Sequence, residues 1–173
     1  YNGRLQDREV SEMVGRIAKR IVPLSERQDV QYNFTALNSD VVNAFAVPGG
    51  YIYVTRGLIA LANSEAELAS VMAHEMAHIV ARHSAQQVSQ DALLGLGASL
   101  LGSVLDSSAA ANLAGVGGQL YSRSYSRSHE YEADTLGIGY MSRAGYDPTA
   151  AARFLGQLQS DEQLQAAIAG RSA

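Results

Sequence analysis

The chain has 173 residues, 47% of them hydrophobic and 17% charged, with a net charge of -4, enough for one domain with its own core. Its 13 Lys and Arg are scattered, so the concentrated basic surface that nucleic-acid binding requires is missing and no nucleic-acid partner is expected. The absence of Cys excludes disulfides, thiolate metal sites and a Cys nucleophile.

A spanning helix needs about 20 apolar residues. The best candidate, Ala92 to Leu105 (ALLGLGASLLGSVL), is shorter and rich in Gly. No transmembrane span is therefore expected, with peripheral membrane association left open. Without an initial Met or a signal peptide, the chain reads as a mature or trimmed fragment.

In chain order, Val10, Met13, Val14, Ile17 and Ile21 fall at helical spacing, with Asp7 as N-cap and Pro23 as stop. Val30 to Ala36 alternates apolar and polar residues and reads as a half-buried strand. Asn43 to Thr55 (NAFAVPGGYIYVT) places two β-rich runs around Pro48-Gly49-Gly50 and reads as a hairpin. A short helical piece follows from Gly57 to Leu61. Ser64 and Glu67 have capping-box spacing and open a helix expected to run to about His83.

Asp91 to Gly118 is small, apolar and Gly-rich, the composition of loosely packed helices or a mobile lid. A third long helix is expected over Leu120 to Arg143, with Gly145 as its stop. Asp147-Pro148 then opens a last helix through Leu158. The sum is a mostly helical α+β chain with one small antiparallel sheet, organised as a single domain over residues 1–173 with 91–118 as an insert or lid.

The chemistry lies in His74-Glu75-Met76-Ala77-His78. Two His four residues apart project from one helix face and can reach one ion. The intervening Glu is placed to take a proton from water at that ion and to pass it to a leaving amine. Chance alone produces this pattern in roughly one chain of such length in two hundred. The capping signal upstream and the apolar flanks, Val71-Met72-Ala73 and Ile79-Val80, set this instance apart.

A catalytic zinc needs a third protein ligand. His129, Glu130 and Asp134 in Ser128-His129-Glu130-Tyr131-Glu132-Ala133-Asp134 are the candidates, and spacing does not choose among them. Glu130 and Asp134 share a helix face, so one could bind the metal while the other accepts a ring N–H from a liganding His. Glu132 points roughly opposite. His83 lies about 140° around a continuous helix from His78 and should not join the same metal. It reads as a structural residue or a support to the ligands.

Three segments then carry a family resemblance. They are Asn43 to Leu58, Glu67 to His83 with the trailing Arg82-His83, and Ser126 to Asp134. Gly145-Tyr146-Asp147-Pro148 also fits. In order and spacing, residues 40–150 resemble the zinc metalloendopeptidases that include HtpX, the periplasmic chaperone-protease BepA, mitochondrial Oma-type proteases and the CAAX prenyl proteases, metallopeptidase family 48.

The resemblance implies a zincin-like fold with an active-site helix and a second ligand helix. It implies one zinc ion held by His74, His78 and Glu130, with Glu75 as base and Asp134 supporting a ligand. It further implies that an edge strand pairs with an extended peptide, a role assigned to Asn43, Ala44, Phe45 and Ala46. Substrates would be proteins or peptides, misfolded or unassembled proteins of a bacterial envelope or periplasm. The rival is a latent or chaperone-like zinc-binding module.

One departure stands out. Relatives continue past the last helix into a His-Pro and a following Arg, and no such segment is found here. The donor to the oxyanion is therefore sought in Tyr146, Tyr125 or Arg143.

Overall fold

The computed structural model describes residues 2–86, 89 and 125–171. The Gly-rich stretch 91–118, read as an insert or lid, lies outside the described residues.

Helix α1 (Arg8–Ile21) starts where expected. The Asp7 carboxylate accepts from the Val10 N–H, and Lys19 and Arg20 occupy the last turn, where the helix dipole favours cations. It buries Val14, Ile17 and Ile21, and a 3₁₀ turn through Pro23 ends it.

Three strands follow: β1 (Asn33–Leu37), β2 (Ala44–Val47) and β3 (Tyr51–Thr55). Their spatial order is β1-β3-β2. The expected hairpin is present, with β2 antiparallel to β3. The sheet as a whole is not antiparallel, because β1 runs parallel to β3 from Asn33 opposite Tyr51 to Leu37 opposite Thr55. Ile52 and Val54 of the central strand are fully buried.

The hairpin turn depends on glycine. Gly50 has φ 90°, and a Cβ there would overlap the Gln31 carbonyl oxygen. The N-terminal segment covers the outer side of β1, where the Leu5 N–H bonds the Ala36 carbonyl at 2.8 Å. No described strand lies beyond β2, which is therefore an edge of the sheet.

After α2 (Arg56–Leu61), Ser64 caps α3 (Glu65–Val80) by accepting from the Glu67 N–H. The return bond of a capping box is shifted by one residue: the Glu67 carboxylate accepts from the Asn63 N–H at 2.8 Å. Helix α3 is the centre of the molecule. Leu68, Ala69, Met72, Ala73, Met76 and Ala77 are buried against β2, β3 and three other helices. It stops at Val80, short of the expected His83, because Arg82 adopts a left-handed conformation with φ 59°.

Helix α4 spans Arg127–Arg143, with Ser126 as N-cap accepting from the His129 N–H. Its start is set at a residue whose hydroxyl satisfies an orphan helix amide, and residues 120–124 of the expected helix lie outside the described residues. Ala133, Gly137, Tyr140 and Met141 form its buried face. It ends with Gly145 at φ 77° and the Tyr146 N–H bonded to the Met141 carbonyl, a Schellman closure. The Asp147 carboxylate accepts from the Thr149 N–H to open α5 (Thr149–Arg171), which continues well past Leu158. Only its first turns, at Ala150 and Phe154, are fully buried. The result is a mostly helical α+β fold with a small mixed sheet, and no described helix is long and apolar enough to cross a membrane.

Candidate metal centre and active site

His74, Glu75 and His78 all lie in the second half of α3, and Glu130 and Asp134 lie in the first two turns of α4. The two helices approach closely through small residues. A Cβ on Gly137 would sit 3.1 Å from the His74 backbone nitrogen. That approach brings the α4 carboxylates to the imidazoles.

The His74 and His78 Nε2 atoms are 3.0 Å apart. Glu130 Oε2 is 3.3 Å from the first and Oε1 is 3.8 Å from the second. Among the described residues, these three side chains form a group whose donor atoms all lie within 4.8 Å of one another. A His₂–carboxylate set is a donor chemistry that suits a catalytic divalent cation with an open position. The remaining ring nitrogens are occupied elsewhere. His74 Nδ1 lies 2.9 Å from Asp134 Oδ1, and His78 Nδ1 lies 2.8 Å from His83 Nδ1. Both Nε2 atoms are thus left facing the cluster, and the residues fit a metal.

Of the three candidates that spacing left open, Glu130 reaches both imidazoles. Asp134 meets the far side of His74, and the His129 ring stacks on His83 at 4.3 Å.

Electrostatics separates the groups. Burial pushes the Glu75 carboxyl up to about 7, partly opposed by the His74 charge and by a hydrogen bond from the Ala46 N–H. Burial pulls His74 down, but the Glu130 hydrogen bond and the nearby carboxylates outweigh it, so His74 is raised overall. His78 is lowered, first by burial and then by the charge of His74. The hydrogen bond to His74 holds Glu130 below the usual carboxylate range.

The Ala46 contact ties the hairpin to the site. The Thr55 N–H donates to the Asn43 carbonyl at 3.0 Å. In an antiparallel pair, residues two apart share that orientation. Phe45 and Val47 therefore also turn their main-chain groups toward β3, while Ala44 and Ala46 turn theirs to the outer side of β2. The Phe45 ring stacks on Tyr53 at 5.1 Å.

Of the three oxyanion-donor candidates, only Tyr125 is at the site. Its ring stacks on His78 at 4.1 Å, and its hydroxyl pairs with Ser84 Oγ at 2.8 Å. Tyr146 instead bonds Glu65 at the opposite end of α3, and Arg143 reaches Glu26 and the Leu24 carbonyl. Neither faces the imidazoles, because both lie at the C-terminal end of α4, the end away from Glu130. Sequence reasoning missed the ring contact of Tyr125 and the pairing of His83 with Glu132, whose Nε2 and Oε2 are 3.3 Å apart. No periodic pattern signals either one.

An HExxH helix crossed by a second helix that brings a carboxylate to its imidazoles is the arrangement of a metallopeptidase. Comparison with known proteins agrees. The family model Peptidase family M48 matches residues 4–168, and the chain belongs to that family.

It is 35% identical over 169 residues to a putative beta-barrel assembly-enhancing protease of Vibrio cholerae, covering 91% of this chain and 34% of the relative. It is 36% identical over 140 residues to the mitochondrial metalloendopeptidase OMA1 of Schizosaccharomyces pombe, covering 80% of this chain and 41% of the relative. The beta-barrel assembly-enhancing protease of Escherichia coli is 32% identical over 165 residues, covering 89% and 34%. The chain thus spans about a third of the length of these bacterial relatives.

Proposed function

We propose that this chain is the catalytic domain of a zinc-dependent endopeptidase that hydrolyses peptide bonds in misfolded or unassembled proteins of a bacterial envelope. The observation that carries this reading is the convergence of His74, His78 and Glu130 within 4.8 Å, next to a buried Glu75. Membership of a peptidase family supports the reaction class. The relatives named for β-barrel assembly support an envelope substrate and a periplasmic location.

In this reading His74, His78 and Glu130 hold the zinc, and Asp134 fixes the His74 ring. A zinc ion there would supply Lewis-acid polarisation of water and of the scissile carbonyl. Glu75 takes the proton of the attacking water and returns it to the departing nitrogen. Asn43 to Ala46 bind the peptide as an added strand, through the outward main-chain groups of Ala44 and the outward carbonyl of Ala46. Because little side-chain recognition is needed, such pairing accepts any extended, unfolded segment.

The test is zinc content and casein cleavage of the purified protein beside Glu75→Gln and Glu130→Ala. The expected outcome is one zinc and cleavage for the parent, retained zinc with lost cleavage for Glu75→Gln, and lost zinc for Glu130→Ala. Zinc without cleavage in the parent would favour a latent or chaperone-like module. A parent that takes up no zinc at neutral pH would sink the metal centre.

A further inference from the structure

Among the described residues, Arg82 is the only non-glycine residue with positive φ, at 59°. An L-residue in that conformation costs roughly 1 kcal/mol or more, so the surrounding structure must hold it there. Its effect is to break α3 one turn after His78 and swing the next residues back over the site. His83 is fully buried. Its Nδ1 lies 2.8 Å from His78 Nδ1, and its Nε2 lies 3.3 Å from Glu132 Oε2. The adjacent Ser84 holds the hydroxyl of Tyr125, whose ring lies flat on the His78 ring.

The proton count along this chain is determined at one end. Two Nδ1 atoms at hydrogen-bond distance share a single proton. An ionised Glu132 can only accept, so His83 carries its proton on Nε2 and presents a bare Nδ1. That atom accepts from the His78 Nδ1–H. The His78 Nε2 is then bare and faces His74 Nε2 and Glu130. His74 gains the same tautomer in one step, directly from Asp134. The two imidazoles are thus both backed by carboxylates, one directly and one through an intervening ring.

We propose that His83 is a positioning residue of the metal centre, relaying the Glu132 carboxylate to His78 and holding the His78 Nε2 in its metal-facing tautomer and orientation. This rests on the metal-site reading above. Carboxylate backing of a liganding His is a general device for raising ligand basicity and fixing the ring. The unusual part here is that the backing group is supplied by a strained turn of the same helix and completed from α4.

The test separates this role from simple packing. His83→Phe keeps a ring of similar shape but removes the acceptor. His83→Asn keeps an acceptor where Nδ1 stood but removes the ring. Zinc affinity is measured by competition with a chromophoric chelator, and thermal unfolding of the metal-free forms reports the fold. Positioning predicts that His83→Phe weakens zinc binding by about ten- to hundredfold, while His83→Asn retains most of the affinity. Glu132→Ala alone should weaken binding, and should add nothing in the His83→Asn background, because the relay is already bypassed.

His83→Phe binding zinc as tightly as the parent, or more tightly than His83→Asn, would overturn the proposal. Should His83→Phe fail to fold, Glu132→Ala decides, since that carboxylate is exposed; parental affinity there also overturns the relay. A parent that binds no zinc is a different failure, that of the metal centre itself, and takes this inference with it.

Discussion

Glu75 and Asp134 are both carboxylates beside His74, and their surroundings give them different work. Glu75 is buried, and burial raises its pKa to about 7. The side chain of Asp134 is 54% exposed and meets the far ring nitrogen of His74. Glu75→Gln should therefore lower cleavage by about 10²–10⁴-fold, the usual share of a general acid–base group, with metal content unchanged. Asp134→Ala should instead weaken zinc binding by about ten- to hundredfold, measured by chelator competition, because His74 loses the acceptor that sets its tautomer. If Asp134→Ala kept full affinity, the carboxylate would be a solvated residue on α4 and nothing more.

Between elements, the decisive distance is that of α4 from α3. Gly137 presses on the His74 backbone, at 3.1 Å to N and 3.2 Å to Cα for an added Cβ, whereas Gly139 has nothing within 4 Å. Ala is a better helix former than Gly by roughly 0.8–1.0 kcal/mol. Gly139→Ala should accordingly raise unfolding stability by about 0.5–1 kcal/mol, read from urea titration. Gly137→Ala should lose that gain to overpacking and weaken zinc binding, because Glu130 is carried away from the imidazoles as the helices separate. Equal behaviour of the two variants would mean that the helix spacing does not set the metal site.

The hairpin admits a separate test. Ala44→Pro removes one outward N–H from the edge strand, a place where proline is tolerated. It should raise KM for an extended peptide by about fivefold, the equivalent of one hydrogen bond worth roughly 1 kcal/mol. An unchanged KM would remove β2 from substrate binding.

Across the whole molecule, the first helix is tied to the C-terminal end of α4. The Arg20 guanidinium donates to the Ala144 carbonyl at 2.6 Å and lies over the Tyr146 ring at 3.9 Å. Tyr140, fully buried, reaches out to donate its hydroxyl to Glu26 just beyond α1. That hydrogen bond, with help from Arg143, holds Glu26 below its ordinary value of 4.5. A carboxylate depressed on folding contributes stability that is full above its unfolded pKa and fades as pH falls through the lower folded value. Tyr140→Phe keeps the ring and loses the bond. It should cost about 1 kcal/mol at pH 7 once solvent screening of the half-exposed Glu26 is allowed for. The gap from the parent should narrow at pH 3, and a gap that is constant with pH would show that the bond makes no charge-dependent contribution.

By itself the sequence determined the local devices. Asp7, Ser64 and the glycines of the hairpin turn act on neighbours a few residues away, so their spacing is their structure. The same holds for His74 and His78, which share a face on any helix. Glu130 was singled out through resemblance and not through spacing, because the helix it approaches lies about fifty residues upstream in the chain.

Only the tertiary structure decided the rest. The parallel pairing of β1 with β3 joins segments that no local period relates, and it alone makes β2 the edge beside Glu75. His83 lay off the ligand face of an ideal helix. It reaches His78 because Arg82 turns left-handed with no glycine to announce it, a conformation that local propensity opposes and that is accompanied by the packing of His83 against Tyr125 and against His129 and Glu132 of α4.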